Sequence, residues 1–452
     1  MSEDEVRLVE AVRPRPRAER SRRRRLAISP RHVLKIGQLV KRAARMRGGG
    51  TAFPGLVVEK IDPGFLSRVL STLPEGVVVV TGTNGKTTTT KMVVELLRAS
   101  GLRVVTNRTG SNFTRGVIAG LLDTLDQDGT LKADIAVLEL DEAHAVLFIQ
   151  DVAPRYSLLL NVTRDQLDRF GELDYTAGLL ESVALATLEG VVLNRNDPLV
   201  RRVADKLSPS VGLCYFGFDD SLKETFLSDH DLYGTSDLDQ SAAPRIRSTD
   251  VILADLHQKT ATFAYGSERQ PPLELGIDGI HNALNAAAAL SLVRMILGDK
   301  VDTALLRQAL RGVRPAFGRG ESIDINGSTL EIVLVKNPAS FRLALNSYEL
   351  RTATTMIAIN DSYADGRDTS WLWDIDFRAL GPVALVSGVR AHDMALRLQY
   401  DEIEPAQVEP SLSKALDELL RAEGPKRIYC TYTAMMALRG LLGSITGLER
   451  ID

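Results

Sequence analysis

The sequence predicts an α/β protein, a P-loop domain on a parallel sheet followed by a smaller Rossmann-like α/β domain. Three observations predict it. Short apolar runs alternate with helical stretches along most of the chain, the order that gives a parallel sheet covered by helices on both faces. One such run, "VVVVTGTNGKTTTT" (77–90), passes through a glycine turn into a helix start. The alternation restarts near "RPAFGRGES" (314–322), and 452 residues exceed one ordinary core.

Residues 1–28 form an Arg- and Pro-rich tail continuing into "RPRPRAERSRRRRLAIS". Blocks of like charge repel, so it is expected to be solvated and disordered. Its alternative is attraction to an anionic membrane surface, about 1 kcal/mol per basic residue close to the lipid. A short basic helix is expected from Pro30 to Arg47, ended by "RGGG". The expected division is 1–50 for tail and helix, 51–319 for the ATP-binding domain and 320–452 for the second domain. Within the first, "LRVVTN" (102–107), "DIAVLEL" (134–140), "RYSLLLNV" (155–162) and "GVVLN" (190–194) read as strands. From Gly217 to Pro244 the chain turns polar and reads as an excursion, and "DLHQKTATFAYG" then reads as a strand pair. "HNALNAAAALSLVRMIL" (281–297) is an Ala-rich helix, expected against the sheet because Asn285 and Arg294 interrupt it. In the second domain "LEIVLV" (330–335), "TTMIAIN" (354–360), "PVALVSG" (382–388) and "RIYCTYT" (427–433) read as strands.

The apolar and charged fractions, 44% and 25%, are those of a globular protein. Acidic residues (58) nearly balance basic ones (55), so nucleic acid is not an expected partner of the whole molecule. Cys214 and Cys430 sit in the apolar, strand-like "VGLCYFG" and "RIYCTYT" and are expected to be inert and buried, forming neither a disulfide framework nor a zinc motif. No uninterrupted apolar run reaches the ~18 residues of a membrane helix, and no apolar stretch follows the initial charges as in a secretory signal. The expected location is the cytoplasm, with the tail offering a peripheral contact to the inner face of the membrane.

Backbone N–H groups at a helix N-terminus are unpaired and partly positive, which makes a strand–glycine turn–helix an anion site. Gly82 and Gly85 let the backbone curl around a phosphate, Lys86 is expected as a surface group facing it, and Thr87 offers a hydroxyl to Mg²⁺. Val80 stands where the usual pattern has a further glycine, which leaves the shorter G-x-x-G-K-T. These residues predict an ATP site. Its metal needs an acid, and Glu139, Asp141 and Glu142 compete for that role at the end of one strand.

At "GTNGKTTT", "LNVTRDQLDRFGE", "LNRNDP", "GIHNALNAAAA" and "FGRGE" the chain resembles the Mur ligase family, in the family's order over residues 77–321. "LVKNPASF", "NDSYADGRDTSWLWDIDF" and "VSGVRAHDMALRL" resemble the branch that amidates the peptidoglycan precursor lipid II, which extends the likeness from about residue 32 nearly to the C-terminus. The resemblance implies a Mur ligase-like middle domain in which Gly82, Thr83, Asn84, Gly85, Lys86, Thr87 and Thr88 cradle the ATP phosphates. It implies Glu139, with Thr87, as magnesium ligand, Asn282 as the reader of adenine and Arg319 as a hinge arginine reaching toward the nucleotide.

The implied chemistry is ATP-dependent amide formation. A carboxylate, here the α-carboxyl of D-glutamate in the lipid II stem peptide, attacks the γ-phosphate, and ammonia displaces phosphate from the acyl phosphate to leave D-isoglutamine. Ammonia would come from glutamine through a separate GatD-type glutaminase, so the resemblance implies a heterodimer. Asp368, in "DGRDTSW", matches an aspartate that orients the partner's histidine, and it joins Lys86 as a catalytic candidate. Read without the family, Asp361, Asp365 and Asp368 are turn-stabilising acids after a strand.

The chain also departs from the family. Some members of this branch carry a four-cysteine zinc ribbon, but residues 217–250 hold no cysteine, so no structural zinc is expected. Gln166 in "RDQLD" replaces a family histidine, and the helix after it has no lysine to carbamylate. With the glycine turn reached by residue 82, the N-terminal domain that grips a UDP-sugar in other members is not expected, which would fit a lipid-linked substrate. Two rival readings stand beside this one: a stand-alone ligase of the folylpolyglutamate type, and a non-catalytic ATP-binding scaffold, against which Lys86, Thr87 and Glu139 together argue.

Overall fold

The valine run becomes β1 (Val77–Thr81), with every residue buried. Its side chains alternate: Val77 and Val79 join one apolar cluster, Val78 and Val80 another. A strand buried on both faces needs helices on both sides, and the rest of the domain is built to supply them. This computed structural model describes residues 30–46, 52–107, 113–126, 128–163, 173–226, 243–277, 279–314, 319–325, 327–347 and 353–446. The tail, Gln166 and much of the polar excursion lie outside the described residues.

Helices α1 (Pro30–Met46), α2 (Ala52–Ile61) and α3 (Phe65–Leu70) precede β1. After it come α4 (Lys86–Ala99), β2 (Val104–Thr106), α5 (Thr114–Leu121), β3 (Ile135–Glu139), α6 (Glu142–Ile149) and β4 (Tyr156–Leu159). The domain continues with α7 (Leu173–Leu185), β5 (Gly190–Asn194), α8 (Pro198–Arg201), β6 (Gly212–Phe218), β7 (Val251–His257) and β8 (Thr260–Tyr265). It closes with β9 (Glu268–Arg269), β10 (Leu273–Glu274), α9 (Ile280–Leu297) and α10 (Thr303–Gly312). The strand order is β10-β8-β7-β6-β5-β4-β1-β3-β2, with β9 on β8. Strands β2 to β7 are parallel, whereas β8 and β10 form an antiparallel edge. The expected strand pair therefore begins earlier than "DLHQ", because β7 first runs beside β6 through Phe216–Phe218 and only then turns back.

The Ala-rich helix α9 is long and apolar enough to cross a bilayer by composition, yet Ala283, Ala286, Ala287, Leu290 and Val293 are all buried. It packs on α4 and on β4 to β7, a core helix as its Asn and Arg predict. Alanine permits this close approach to the sheet.

The second sheet has the order β11-β12-β16-β13-β14-β15. Its elements are β11 (Arg319–Ile325), β12 (Ser328–Leu334), α11 (Pro338–Ser347), β13 (Thr354–Ala358), β14 (Leu385–Ser387), α12 (Ala391–Tyr400), β15 (Gln407–Glu409), α13 (Leu412–Arg421), β16 (Lys426–Cys430) and α14 (Tyr432–Thr446). Only β11 is antiparallel, and apolar clusters around Phe341 and Phe377 on one face and Met435 and Leu438 on the other bury it from both sides. Both cysteines are buried, and burial pushes both thiols up in pKa.

The contact of α2 with α5 is tight enough to test. A Cβ on Gly55 would lie 1.9 Å from the Arg115 carbonyl oxygen, and backbone cannot yield as a flexible side chain does. Gly55→Ala is expected to cost about 1–3 kcal/mol, an overpacking penalty, read as a lower thermal unfolding midpoint of the full chain.

Candidate nucleotide site

Strand order reverses at β1, which lies between β3 and β4. Ligands of open α/β sheets bind at such a switch point, beyond the carboxyl ends of the strands. The turn after β1 is held there by β4's continuation. Thr83 N donates to Asn161 O (2.9 Å), Asn84 N donates to Asn161 Oδ1 (2.8 Å), and Asn161 Nδ2 donates to Asn84 O (3.0 Å). Asp197 accepts from Val162 N (2.7 Å) with one oxygen and caps α8 with the other, so "LNRNDP" braces the loop from behind.

Both turn glycines have positive φ, +128° at Gly82 and +87° at Gly85, where a side chain is strained. A Cβ on Gly85 would stand 2.5 Å from Asn285 Oδ1, so an α9 side chain closes one wall of the turn. Asn285 Nδ2 donates to Asn282 Oδ1 (3.2 Å), and Asn282 is 1% exposed, buried beside the phosphate turn.

The three competing acids separate by partner. Glu139 Oε1 accepts from Thr87 Oγ1 at 2.8 Å, because the β1–β3 register sets Glu139 opposite Val80. Glu142 takes Lys86 at 3.2 Å, and Asp141 stands at the N-terminus of α6. The expectation of a surface lysine is corrected: Lys86 is 8% exposed, folded back onto a buried carboxylate. Asn107 fixes Glu139 by exchanging two bonds with its backbone, 2.8 and 2.9 Å. A hydroxyl and a carboxylate side by side, with water able to complete the shell, are the oxygen donors a magnesium ion takes.

Sequence reasoning missed Lys336 and Asn337 as parts of this site. Lys336 Nζ donates to Thr83 O (2.9 Å), and Asn337 and Asn84 pair through their amides at 3.1 and 3.4 Å. Asn337 also starts α11: its Oδ1 accepts from Ser340 N (2.8 Å) and Ser340 Oγ accepts from Asn337 N (3.1 Å), a reciprocal cap with Pro338 at the first helical position. The second domain thus reaches the glycine turn from the end of β12. Its position just past a strand's carboxyl end was the available signal. Between the domains lies a cleft lined by Asn84, Thr88, His281, Asn285, Lys336 and Leu343. The backbone of Arg319 pairs with Val333, while its side chain lies outside what is described.

Asp368 lies elsewhere, in a second cleft with Trp373, Arg390, Asp393, Leu396 and Arg397. Its Oδ1 accepts from Ser370 N at 2.8 Å. The turn-stabilising reading fits its neighbours: Asp365, 4% exposed, accepts from Thr433 N (2.7 Å) and Ser362 N (3.1 Å), and Asp361 pairs with Arg390 (2.9 Å).

Two family descriptions match the chain: Mur ligase middle domain over residues 80–293, and MurT ligase C-terminal over 334–435. The chain is 29% identical over 437 residues to lipid II isoglutaminyl synthase (glutamine-hydrolyzing) subunit MurT of Staphylococcus aureus (strain COL), covering 89% of this chain and 95% of that one. It is equally 29% identical, over 432 residues, to the subunit of the same name from Streptococcus pneumoniae, covering 88% and 93%. In fold it is similar to MurF ligase from Thermotoga maritima in complex with ADP, with a TM-score of 0.63 at 19% identity, over 85% of this chain and 83% of that one.

The Lys86–Glu142 pair sets the form of the test. Lys86→Ala is expected to abolish ATP hydrolysis and also to destabilise, by about 3–5 kcal/mol if Glu142 stays charged and unpaired. Lys86→Met with Glu142→Gln should regain the thermal midpoint without regaining hydrolysis, and normal turnover in either variant would remove the phosphate assignment.

Proposed function

This chain belongs to the Mur ligase family, and we propose that it is the ATP-dependent ligase subunit that amidates the D-glutamate α-carboxyl of lipid II. Ammonia would be supplied by a GatD-type glutaminase subunit, giving a heterodimer at the inner face of the membrane. The observation that carries this reading is the presence of two separate clefts with different equipment. One is lined by the anion turn, through Asn84, Gly85 and Thr88, and by Lys336 of the second domain. The other has Asp368 among exposed aromatic and apolar side chains.

In the first cleft, the N-terminus of α4 and Lys86 would hold the ATP phosphates, and the phosphates would compete with Glu142 for the lysine. Thr87 and Glu139 would hold magnesium, which neutralises phosphate charge when bound. The substrate carboxylate attacks the γ-phosphate, and cationic groups stabilise the charge spread over the transferring phosphoryl group. Lys336 brings a second cation to the turn from the other domain. Ammonia then displaces phosphate. Asn282 and Arg319 are proposed contacts of the nucleotide, at the adenine and from the hinge.

The second cleft supports a protein partner. Trp373 and Tyr400 rings stand 4.9 Å apart and are 49% and 69% exposed, with Leu396 also exposed between them in sequence. Large apolar groups exposed around a carboxylate suit a docking surface. There Asp368 would hold a partner histidine in its working tautomer, as the aspartate of a Ser-His-Asp site does.

Asp368→Asn keeps size but removes charge. In the assembled complex, glutamine-driven amidation should fall by about four orders of magnitude, the scale of that change in a catalytic triad, with complex formation intact. Free ammonium should rescue Asp368→Asn and not Lys86→Ala. Loss of ammonium-driven amidation in Asp368→Asn would move that residue into the ligase site and overturn the shared-site reading. Metal analysis of chelator-washed protein should find no stoichiometric zinc, since a zinc ribbon needs cysteines that residues 217–250 do not have.

A further inference from the structure

Helix α1 has two faces of opposite character. Inward, Val33 and Leu34 are buried, and a Cβ on Gly37 would lie 2.8 Å from Val58 and 2.9 Å from Leu122. Gln38 Nε2 donates to Leu122 O (3.1 Å) and Lys41 Nζ to Asp123 (2.7 Å), which locks this face onto α2 and the end of α5. The helix is therefore a fixed part of the domain.

Outward, Lys35, Leu39, Arg42 and Met46 recur at helical spacing, one stripe along the helix, and all four are exposed. Leu39 is 69% exposed and Met46 83%, and Phe53 in the first turn of α2 is 56% exposed. Cations and large apolar side chains alternate along a single solvent-facing line. That pattern has no packing function within the described residues, and it is what an interfacial helix presents to a bilayer: apolar groups enter the headgroup boundary while Lys and Arg keep their charges at its surface.

Charge singles out the occupant. Residues 1–47 carry 15 Lys and Arg against 5 Asp and Glu, so a chain of net charge −3 has one end of +10. An apolar protein partner would not require that bias. We propose that the outer face of α1, together with Phe53, is a docking surface for an anionic lipid bilayer, with the Arg-rich segment before it adding long-range attraction. This rests on the lipid-linked substrate proposed above only for its purpose. Docking itself needs no substrate, nucleotide or partner subunit, so the two readings fail separately.

The test is co-sedimentation of the full-length chain with phosphatidylcholine vesicles, with and without phosphatidylglycerol. Binding is expected to the anionic vesicles alone and to fade as salt screens the surface. Lys35→Gln and Arg42→Gln should each weaken it about five-fold, the equivalent of about 1 kcal/mol per charge. Leu39→Glu with Met46→Glu should weaken it more, with the thermal midpoint unchanged because both side chains are exposed. The proposal is overturned if that double variant binds as the parent does while deletion of residues 1–28 abolishes binding, for the tail would then be the whole anchor. It is equally overturned if the parent binds neither vesicle, binds both alike, or forms a dimer that the double variant dissolves.

Discussion

A parallel sheet stops supplying hydrogen bonds at its carboxyl edge, and what replaces them there determines the shape of the site. In this chain the replacement is asparagine. Asn107 after β2, Asn161 after β4 and Asn194 at the end of β5 each bond a neighbouring segment's backbone through the side-chain amide, and Asn360 after β13 does so in the second sheet. An amide side chain offers one donor and one acceptor group with the geometry of a peptide, so it extends the ladder by one rung where no strand continues. Glu139, the phosphate turn and the loop before α12 owe their positions to these rungs.

Within that frame the candidate nucleotide site gathers more buried negative than positive charge. Lys86 pairs with Glu142, and Glu139 accepts a hydrogen bond from the Thr87 hydroxyl, all at buried positions, so three buried acids, Asp141 among them, stand around one buried cation. An excess of buried carboxylate beside a hydroxyl is the setting in which a divalent cation is bound favourably. Lys336 and Asn337 add a contact across the two sheets whose geometry is fixed by the cap of α11, a purely local device. The contact between the two sheets and helix initiation thus share two adjacent residues.

The alternation of apolar runs and helices was sufficient to read the fold, and the strand–glycine turn–helix after β1 was legible because glycine, lysine and threonine there follow a valine strand. What escaped was long-range. The place of Lys336 just past a strand's carboxyl end hints at a ligand crevice but does not say which turn it meets, and Thr83 is 253 positions away in sequence. The burial of Lys86 escaped for the same reason, since it depends on how β3 and β1 register and where α6 then begins. Spacing left Glu139, Asp141 and Glu142 level, and the family resemblance favoured Glu139, which the strand register then places on Thr87. The antiparallel edge of the first sheet was half visible: β8 was readable as a partner of β7, while the short β9 and β10 carry too few residues for a pattern.

The two buried cysteines have a use unrelated to catalysis. A thiol raised in pKa and enclosed by apolar neighbours reacts slowly with maleimides and other thiol reagents. The native sequence is in that sense already a silent background for site-directed labelling. A single cysteine introduced at an exposed position on either domain would carry a spin label or fluorophore without first stripping the chain of its own thiols. Distances across the Asn84–Asn337 clasp then become measurable by spectroscopy in a chain whose core is left as it folds.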